Sequence, residues 1–356
     1  MNGSMSLSPR SGGLGAWLLL LLLTWPSGGQ AGGAGEFSCF VYHRFGDGRY
    51  PSTNIALDVF AAQLSFLREQ DFRVLTLGEA LERLDSDRGL SERTVVLTVD
   101  DGYQSFLTGA LPLLRRFGFA ATLFINTDSV GRPGYMTWDD LAGLASEGME
   151  IGNHSASHAY FLNLPTSEQL SAFKRDIKQA QEAFQIHLGW RPSLFAYPFG
   201  EYLPAWESAL RELGFKAAAA QNSGVVYRGS PRYALPRYPM GGPYATLEGF
   251  RQKSRMRALR ITDNRLRSPL IDNSNPPILE VQVDTKGLNA AAIQFFVQGQ
   301  QQALQRPDPA DLGRLLLQAD KPLIRRRTLY TLTAPSTDGQ VWHWFSHVWV
   351  LPEVEE

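Results

Sequence analysis

From residue 37 onward the chain alternates short apolar runs with stretches whose apolar residues recur every three or four positions. Residues 37–42 and 94–99 are short, apolar and rich in β-branched or aromatic side chains, as buried strands are. Residues 121–126, 149–153, 194–197 and 216–220 repeat that pattern, and 73–77 and 234–239 are weaker instances. Between these runs Leu57, Phe60, Leu64 and Leu67 share one helical face. So do Leu170, Phe173, Ile177, Ala180 and Phe184, and then Leu203, Trp206, Leu210 and Leu213. Residues 104–117 and 138–147 also read as helices, the second stopped by Gly148. Strands alternating with helices predict parallel βα units. Their number, about seven or eight strands, predicts an α/β fold closed as a distorted (β/α) barrel rather than an open sheet.

After Pro277 the period shortens to two. Ile278, Glu280 and Gln282 alternate with Leu279, Val281 and Val283, and 293–297 forms another run. Residues 327–333 and 341–350 flank a Thr-Asp-Gly, whose Asp-Gly supplies the positive φ of a hairpin turn. A small all-β, sandwich-like C-terminal domain over 277–356 is therefore predicted. The segment 241–276 reads as a boundary. It carries Gly-Gly-Pro, Pro276-Pro277 and the basic residues Arg251, Lys253, Arg255, Arg257 and Arg260, taken as a solvated surface rather than a binding patch. In the last run, alternation puts Trp342 and Trp344 on one face and His343 and His347 on the other.

Composition narrows the function. The 34 Lys and Arg balance 35 Asp and Glu, so no basic footprint for nucleic acid exists. The single cysteine, Cys39, excludes an intramolecular disulfide and a zinc site built on several thiolates. Any metal would be held by His and carboxylate. Arg10, the apolar block 14–25 and the small residues before Ala31 read as a signal peptide over 1–31. That block is shorter than the roughly 20 residues of a membrane span. An exported protein without stable membrane insertion, periplasmic or extracellular, is expected, with an uncleaved anchor as the alternative. Oligomeric state leaves no mark in the sequence.

Three segments carry chemistry, each at the end of a predicted strand. The first ends in Asp100-Asp101-Gly102-Tyr103. Adjacent carboxylates resist joint ionisation unless a cation sits nearby, so one Asp as metal ligand and the other as base is a chemical alternative to an ordinary turn. The second contains His154 and His158, four apart in Asn-His-Ser-Ala-Ser-His. An Asp-His-His set has three ligands and an open fourth position, the arrangement of catalytic zinc. The third is Ala196-Tyr197-Pro198-Phe199-Gly200.

Thr-Val-Asp-Asp-Gly, then His-Ser-x-x-His, then Ala-Tyr-Pro-Phe-Gly, in that order over residues 37–240, resemble the NodB-type polysaccharide deacetylases of carbohydrate esterase family 4. The opening Phe-Val-Tyr-His43-Arg is similar to the poly-N-acetylglucosamine deacetylase branch. The resemblance implies a barrel with one divalent metal ion, usually zinc, at the C-terminal ends of its strands. It implies Asp101, His154 and His158 as ligands and Asp100 as general base, with the backbone N–H of Phe199 on the oxyanion. Tyr103 and Tyr197 are the expected substrate contacts, and a polysaccharide is the expected partner. Two departures matter. The family's Leu-x-His acid is missing, and the narrower resemblance implies His43 instead. Where members often carry an arginine oriented on the base, this chain has Ala196; Arg191 or Arg237 could replace it, and Arg237 is preferred because it ends a predicted strand. The activity implied is removal of N-acetyl groups from an exported N-acetylglucosamine-type polysaccharide. Deacylation of peptidoglycan, a chitooligosaccharide, an O-acetyl ester or a small amide, and a catalytically dead sugar-binding module, remain as alternatives. Every expected site residue lies before residue 275, so the C-terminal strands are expected to be dispensable for chemistry.

Overall fold

Seven strands form the main run of the nine-stranded central sheet of the computed structural model, which describes residues 35–86, 89–262, 267–271 and 274–355. The expected signal peptide lies outside the described residues. In spatial order the strands are Val225–Tyr227, Glu36–Tyr42, Thr94–Asp100, Thr122–Ile125, Glu150–Asn153, Leu194–Ala196 and Ala217–Ala219. All neighbours from Glu36–Tyr42 onward are parallel, and Val225–Tyr227 is an antiparallel edge. Parallel strands covered by helices are buried on both faces, which is why they read as unbroken apolar runs. The sheet curls into a half-barrel. The segment after Tyr233 spans its two edges: Leu235 bridges to Ala219, and Tyr238 and Pro239 pair with Phe40 and Val41. Arg237 therefore sits in the seam.

The helices Leu57–Glu69, Trp138–Ser146, Thr166–Leu188 and Trp206–Glu212 fall where the periodicity places them. The stretch expected as one helix over 104–117 opens instead with a π-helical turn, Phe106–Ala110, and continues as Leu111–Phe117. Such a bulge directly after the Asp-Asp-Gly turn is a frequent mark of a functional site. The segment read as a boundary contains a further helix, Leu247–Ser254, with only Phe250 and Ser254 buried, too narrow an apolar stripe to show as a period.

The C-terminal strands form a five-stranded sheet in the order Arg257–Ala258, Trp342–Val350, Arg327–Pro335, Gln294–Val297, Gln300–Gln302, beside the pair Ile278–Gln282 and Arg314–Gln318. Phe295, Tyr330, Leu332 and Trp349 share one core with Leu279, Val281, Leu315 and Leu317 of that pair. The opposite face puts Val348 and Val350 into a core with Phe161, Tyr197 and Trp206 of the barrel. The described residues thus pack as one compact unit. Among the described residues no helix is long and apolar enough to cross a membrane.

His347 is buried on this sheet with Nε2 lacking a hydrogen-bond partner. Burial, with the nearby Arg267 charge, pushes its pKa down to about 3. An unfolded histidine titrates near 6.5, so the folded state resists a proton that the unfolded state accepts. Stability is full above the unfolded value and falls as pH drops from there toward the folded value. Between pH 7 and pH 5 this group should cost about 2 kcal/mol. Urea denaturation at both pH values should show that loss in the wild type and not in His347→Gln; equal losses in both proteins would assign the acid sensitivity elsewhere.

Candidate active site and metal centre

The aligned C-terminal ends of the parallel strands bring the three motifs together, the end of a barrel where enzyme sites form. Alternation along Thr94–Asp100 turns Thr98 and Asp100 inward, while Val95, Leu97 and Val99 pack in the core under the helices. Asp101 then leaves the strand at φ 74° and Gly102 follows at φ 76°. This left-handed pair suits Asp and Gly and turns the second carboxylate toward the histidines. Tyr42 pairs with Val99, so the next residues on the two strands, His43 and Asp100, sit side by side.

His154 follows the strand Glu150–Asn153 and is completely buried. Its Nδ1 meets the carbonyl oxygen of Ala196 at 2.7 Å. A carbonyl only accepts, so Nδ1 carries a proton and Nε2 turns to Asp101 Oδ1, 3.4 Å away. His158 Nε2 lies 3.3 Å from the same oxygen. The loop between the histidines is pinned. The Ser155 N–H donates to Asn153 Oδ1, the Ala156 N–H to Asp176 Oδ1, and the His158 N–H to Ser155 Oγ. Asp176 lies mid-helix and carried no sequence signal.

Of the six non-glycine residues with positive φ among the described residues, four are Asp101, Ser155, His158 and Phe199. Backbone strain concentrated in this way marks a place where geometry is held for function. Gly200, at φ 74°, is obligatory for a second reason: a Cβ there would lie 2.6 Å from Cβ of Gln221.

One ligand atom each from Asp101, His154 and His158 lie within 4.8 Å of one another, the group among the described residues able to hold a metal ion. Asp101 Oδ1 and His154 Nε2 are buried with no hydrogen-bond partner. Orphaned buried polar atoms are costly, and a cation between them would satisfy both. The donor set, two imidazoles and a carboxylate, suits zinc. The protonation states fit in part. Burial would raise Asp101, but His154, His43 and His158 outweigh it and keep the carboxylate ionised. Burial, reinforced by His154, pushes His158 down to about 4, so it is neutral near pH 7. Burial also opposes a charged His154, but Asp100 and Asp101 raise its pKa, and a metal would displace that proton.

Asp100 does not take part in this cluster; its Oδ2 is 3.9 Å from His154 Nε2. It is held by Arg237, which donates to Oδ1 at 2.7 Å and Oδ2 at 2.8 Å. Arg237 is itself fully buried and also donates to Thr98 Oγ1 and the Ala220 carbonyl. Burial alone would raise Asp100, but Arg237 outweighs it and the carboxyl stays below the ordinary range. Arg191 is exposed, so the arginine on the Asp100 carboxylate is Arg237.

Tyr197 corrects an expectation. It is completely buried, donates its hydroxyl to the Tyr233 carbonyl, and packs with Phe173 and Trp206. On this strand Leu194 and Ala196 face one core while Phe195 and Tyr197 face another under the helices, so Tyr197 cannot touch a polymer. Tyr103 is half-buried at the rim, with the Arg44 guanidinium 3.4 Å from its ring centroid and Tyr135 at 5.0 Å. Phe199 lies edge-on to His158 at 4.4 Å and stacks on Tyr160 at 3.6 Å.

Sequence reasoning missed the tie to the C-terminal strands. Arg326, 4% exposed, donates to both carboxylate oxygens of Glu201, two residues after Phe199, and to Asn163. Its guanidinium also covers Tyr160 at 4.2 Å. No residue of the Asp-His-His cluster or of the Asp100–Arg237 pair lies in these strands, but removing them would leave Glu201 without its cation and uncover the Phe199 loop, so a truncated chain is at risk in stability. Arg326→Met should cost about 3–5 kcal/mol, the range for breaking a buried pair. A loss in denaturation measurements under about 1 kcal/mol, as for exposed pairs, would deny the pair a structural role.

Known proteins resemble this chain over the barrel. Residues 87–218 match the family profile described as polysaccharide deacetylase. The chain is 26% identical over 197 residues to a Bacillus subtilis protein assigned to the polysaccharide deacetylases, YxkH, covering 55% of this chain and 68% of that one. It is 24% identical over 203 residues to the poly-beta-1,6-N-acetyl-D-glucosamine N-deacetylase of Escherichia coli K12, covering 46% of this chain and only 30% of that protein. Among solved structures, IcaB from Ammonifex degensii superposes with a TM-score of 0.53 at 25% identity, over 62% of this chain and 97% of that one. The Streptococcus pyogenes deacetylase PplD shares the fold, with a TM-score of 0.56 at 18% identity over 62% and 98%. Residues 87–218 thus match a polysaccharide deacetylase domain, and the relatives and solved structures that resemble this chain include deacetylases of that kind.

Proposed function

We propose that this deacetylase domain hydrolyses N-acetyl groups of an N-acetylglucosamine-type polysaccharide outside the cytoplasm, with a zinc ion held by Asp101, His154 and His158. The observation that carries the reading is the separation of two carboxylates into two environments. Asp101 faces two histidines, and Asp100 is clamped by Arg237. A divalent ion bound by the first group supplies Lewis acidity, polarising the acetamide carbonyl and lowering the pKa of water.

The chain's own residues then divide the proton work. Asp100, kept ionised by Arg237, accepts the proton of the attacking water. The backbone N–H of Phe199, held in a left-handed turn, stabilises negative charge developing on the carbonyl oxygen. His43, beside Asp100 at the tip of its strand, gives a proton to the departing nitrogen as the C–N bond breaks. Water adds across that bond, and acetate and a free amine leave. Arg44, flanked by Tyr50 and Tyr103 at 3.7 and 3.4 Å from their ring centroids, steadies Tyr103 as a wall for the sugar. Export rests on the signal-peptide pattern of residues 1–31.

The test is acetate release from a panel of soluble N-acetylglucosamine oligomers and polymers, peptidoglycan fragments and O-acetylated glycans. Release from the N-acetylglucosamine polymers is expected to lead. Release confined to O-acetyl esters, or none from any substrate, would contradict the proposal.

A further inference from the structure

A cleft of about 1150 Å³ runs between the barrel and the C-terminal sheet. That is room for several sugar rings. One wall is barrel: Gln221, Pro239, Tyr244 and Lys253. The other comes from the sheet and includes Trp342, Trp344 and Arg325. Arg327, also in the lining, has its guanidinium 5.7 Å from the Phe199 ring centroid. Pro239 pairs with Val41, two residues before His43. Arg327 thus brings one end of the cleft beside the Phe199 loop of the proposed active site.

Its surface suits a glycan with a particular charge. Tyr244 and Trp342 present exposed rings, 54% and 41% accessible, on which sugar faces can stack. The Trp344 ring, set edge-on to the buried Tyr238, belongs to the same wall. Of the basic cluster, Arg257 and Arg260 are paired with Glu36, whereas Lys253 turns into the cleft against Tyr244, 5.6 Å from its ring centroid. Neither Lys253 nor Arg325 has a carboxylate partner among the described residues. Glu355 is the acidic residue in the lining, against Lys253, Arg325, Arg326 and Arg327. Glu201 is shared by Arg326 and Arg327.

We propose that this cleft holds the strand flanking the reacting sugar, and that its cationic lining selects N-acetylated strand, uncharged or acidic, over strand already bearing free amines. The proposal rests on the deacetylase reading and deepens it. Each turnover converts a neutral acetamide into an amine that takes up a proton. A cleft with surplus positive charge then repels its own product, which speeds release and limits how far one strand is deacetylated.

The test is calorimetric binding of the N-acetylglucosamine hexamer and the glucosamine hexamer in an Asp100→Asn background, whose turnover is expected to be about 10²–10⁴-fold slower. At low salt the acetylated hexamer should bind roughly tenfold tighter, and the difference should fade in 0.5 M salt, where ~4 Å screening applies. Lys253→Gln with Arg325→Glu should bring the two affinities within about twofold. Arg325 is exposed, so Arg325→Glu alone serves if the double variant does not fold, and it should reduce the preference to about threefold. Equal affinities in the parent, or a preference untouched by the charge changes, would overturn the proposal. Acetate release by the unmutated enzyme separates the two levels. Release without any charge preference sinks the cleft assignment alone; the preference without release from any substrate sinks the deacetylase reading and leaves a sugar-binding cleft.

Discussion

Asp100→Asn is expected to lower kcat by about 10²–10⁴-fold, the contribution of a lost general base, while metal content stays that of the wild type. The amide cannot accept the water's proton, yet it preserves shape and still meets Arg237. Asp101→Asn should behave differently and lose metal and turnover together, because Asp101 Oδ1 is the oxygen facing both histidines. Metal analysis beside acetate release reads the two outcomes. Near-wild-type turnover in Asp100→Asn would remove the base assignment, and full metal occupancy in Asp101→Asn would remove the ligand assignment.

His43→Ala should lower kcat on amide substrates by about 10²–10⁴-fold and leave the metal in place. The departing amine is a poor leaving group until protonated, and histidine is the side chain whose ordinary pKa suits that near neutrality. Of the other histidines, two face Asp101, His187 lies on the helix Thr166–Leu188, and His343 and His347 lie on a C-terminal strand. The discriminating measurement is an activated ester, whose leaving group needs little help. Its hydrolysis should fall far less than that of the amide. Equal losses on both would make His43 a binding or structural residue, and loss of metal would make it a fourth ligand.

The Asp101–His154–His158 cluster and the neighbouring Asp100 carboxylate were legible because strand-end carboxylates and paired histidines are rare enough to stand out, and parallel strands deliver their C-terminal ends to one place. Arg237 was legible only through its position at the end of a weak strand. Its burial follows from a seam that depends on two pairings distant in sequence, with Ala219 and with Phe40. Tyr197 was misread because proximity to a motif said nothing about parity, and the strand Leu194–Ala196 is too short to show alternation. The hairpin over 327–350 was legible from period and turn; its second face was not. Leu329 and Val348 are ordinary strand residues in sequence, and only packing shows that they lie against the barrel. The Arg326–Glu201 pair spans 125 positions, and no local pattern anticipates it.

The central claim is that one metal ion, held by Asp101, His154 and His158, is required for removal of acetyl groups from N-acetylated glycan. The most direct measurement is metal stoichiometry and acetate release on the same preparations of wild type, chelator-stripped wild type resupplied with zinc, and His154→Ala. The account predicts about one ion per chain with activity in the wild type, loss of both on stripping and return of both with zinc, and neither in His154→Ala under any condition. Undiminished acetate release from the stripped enzyme, or a His154→Ala protein that keeps its ion and its activity, would contradict it.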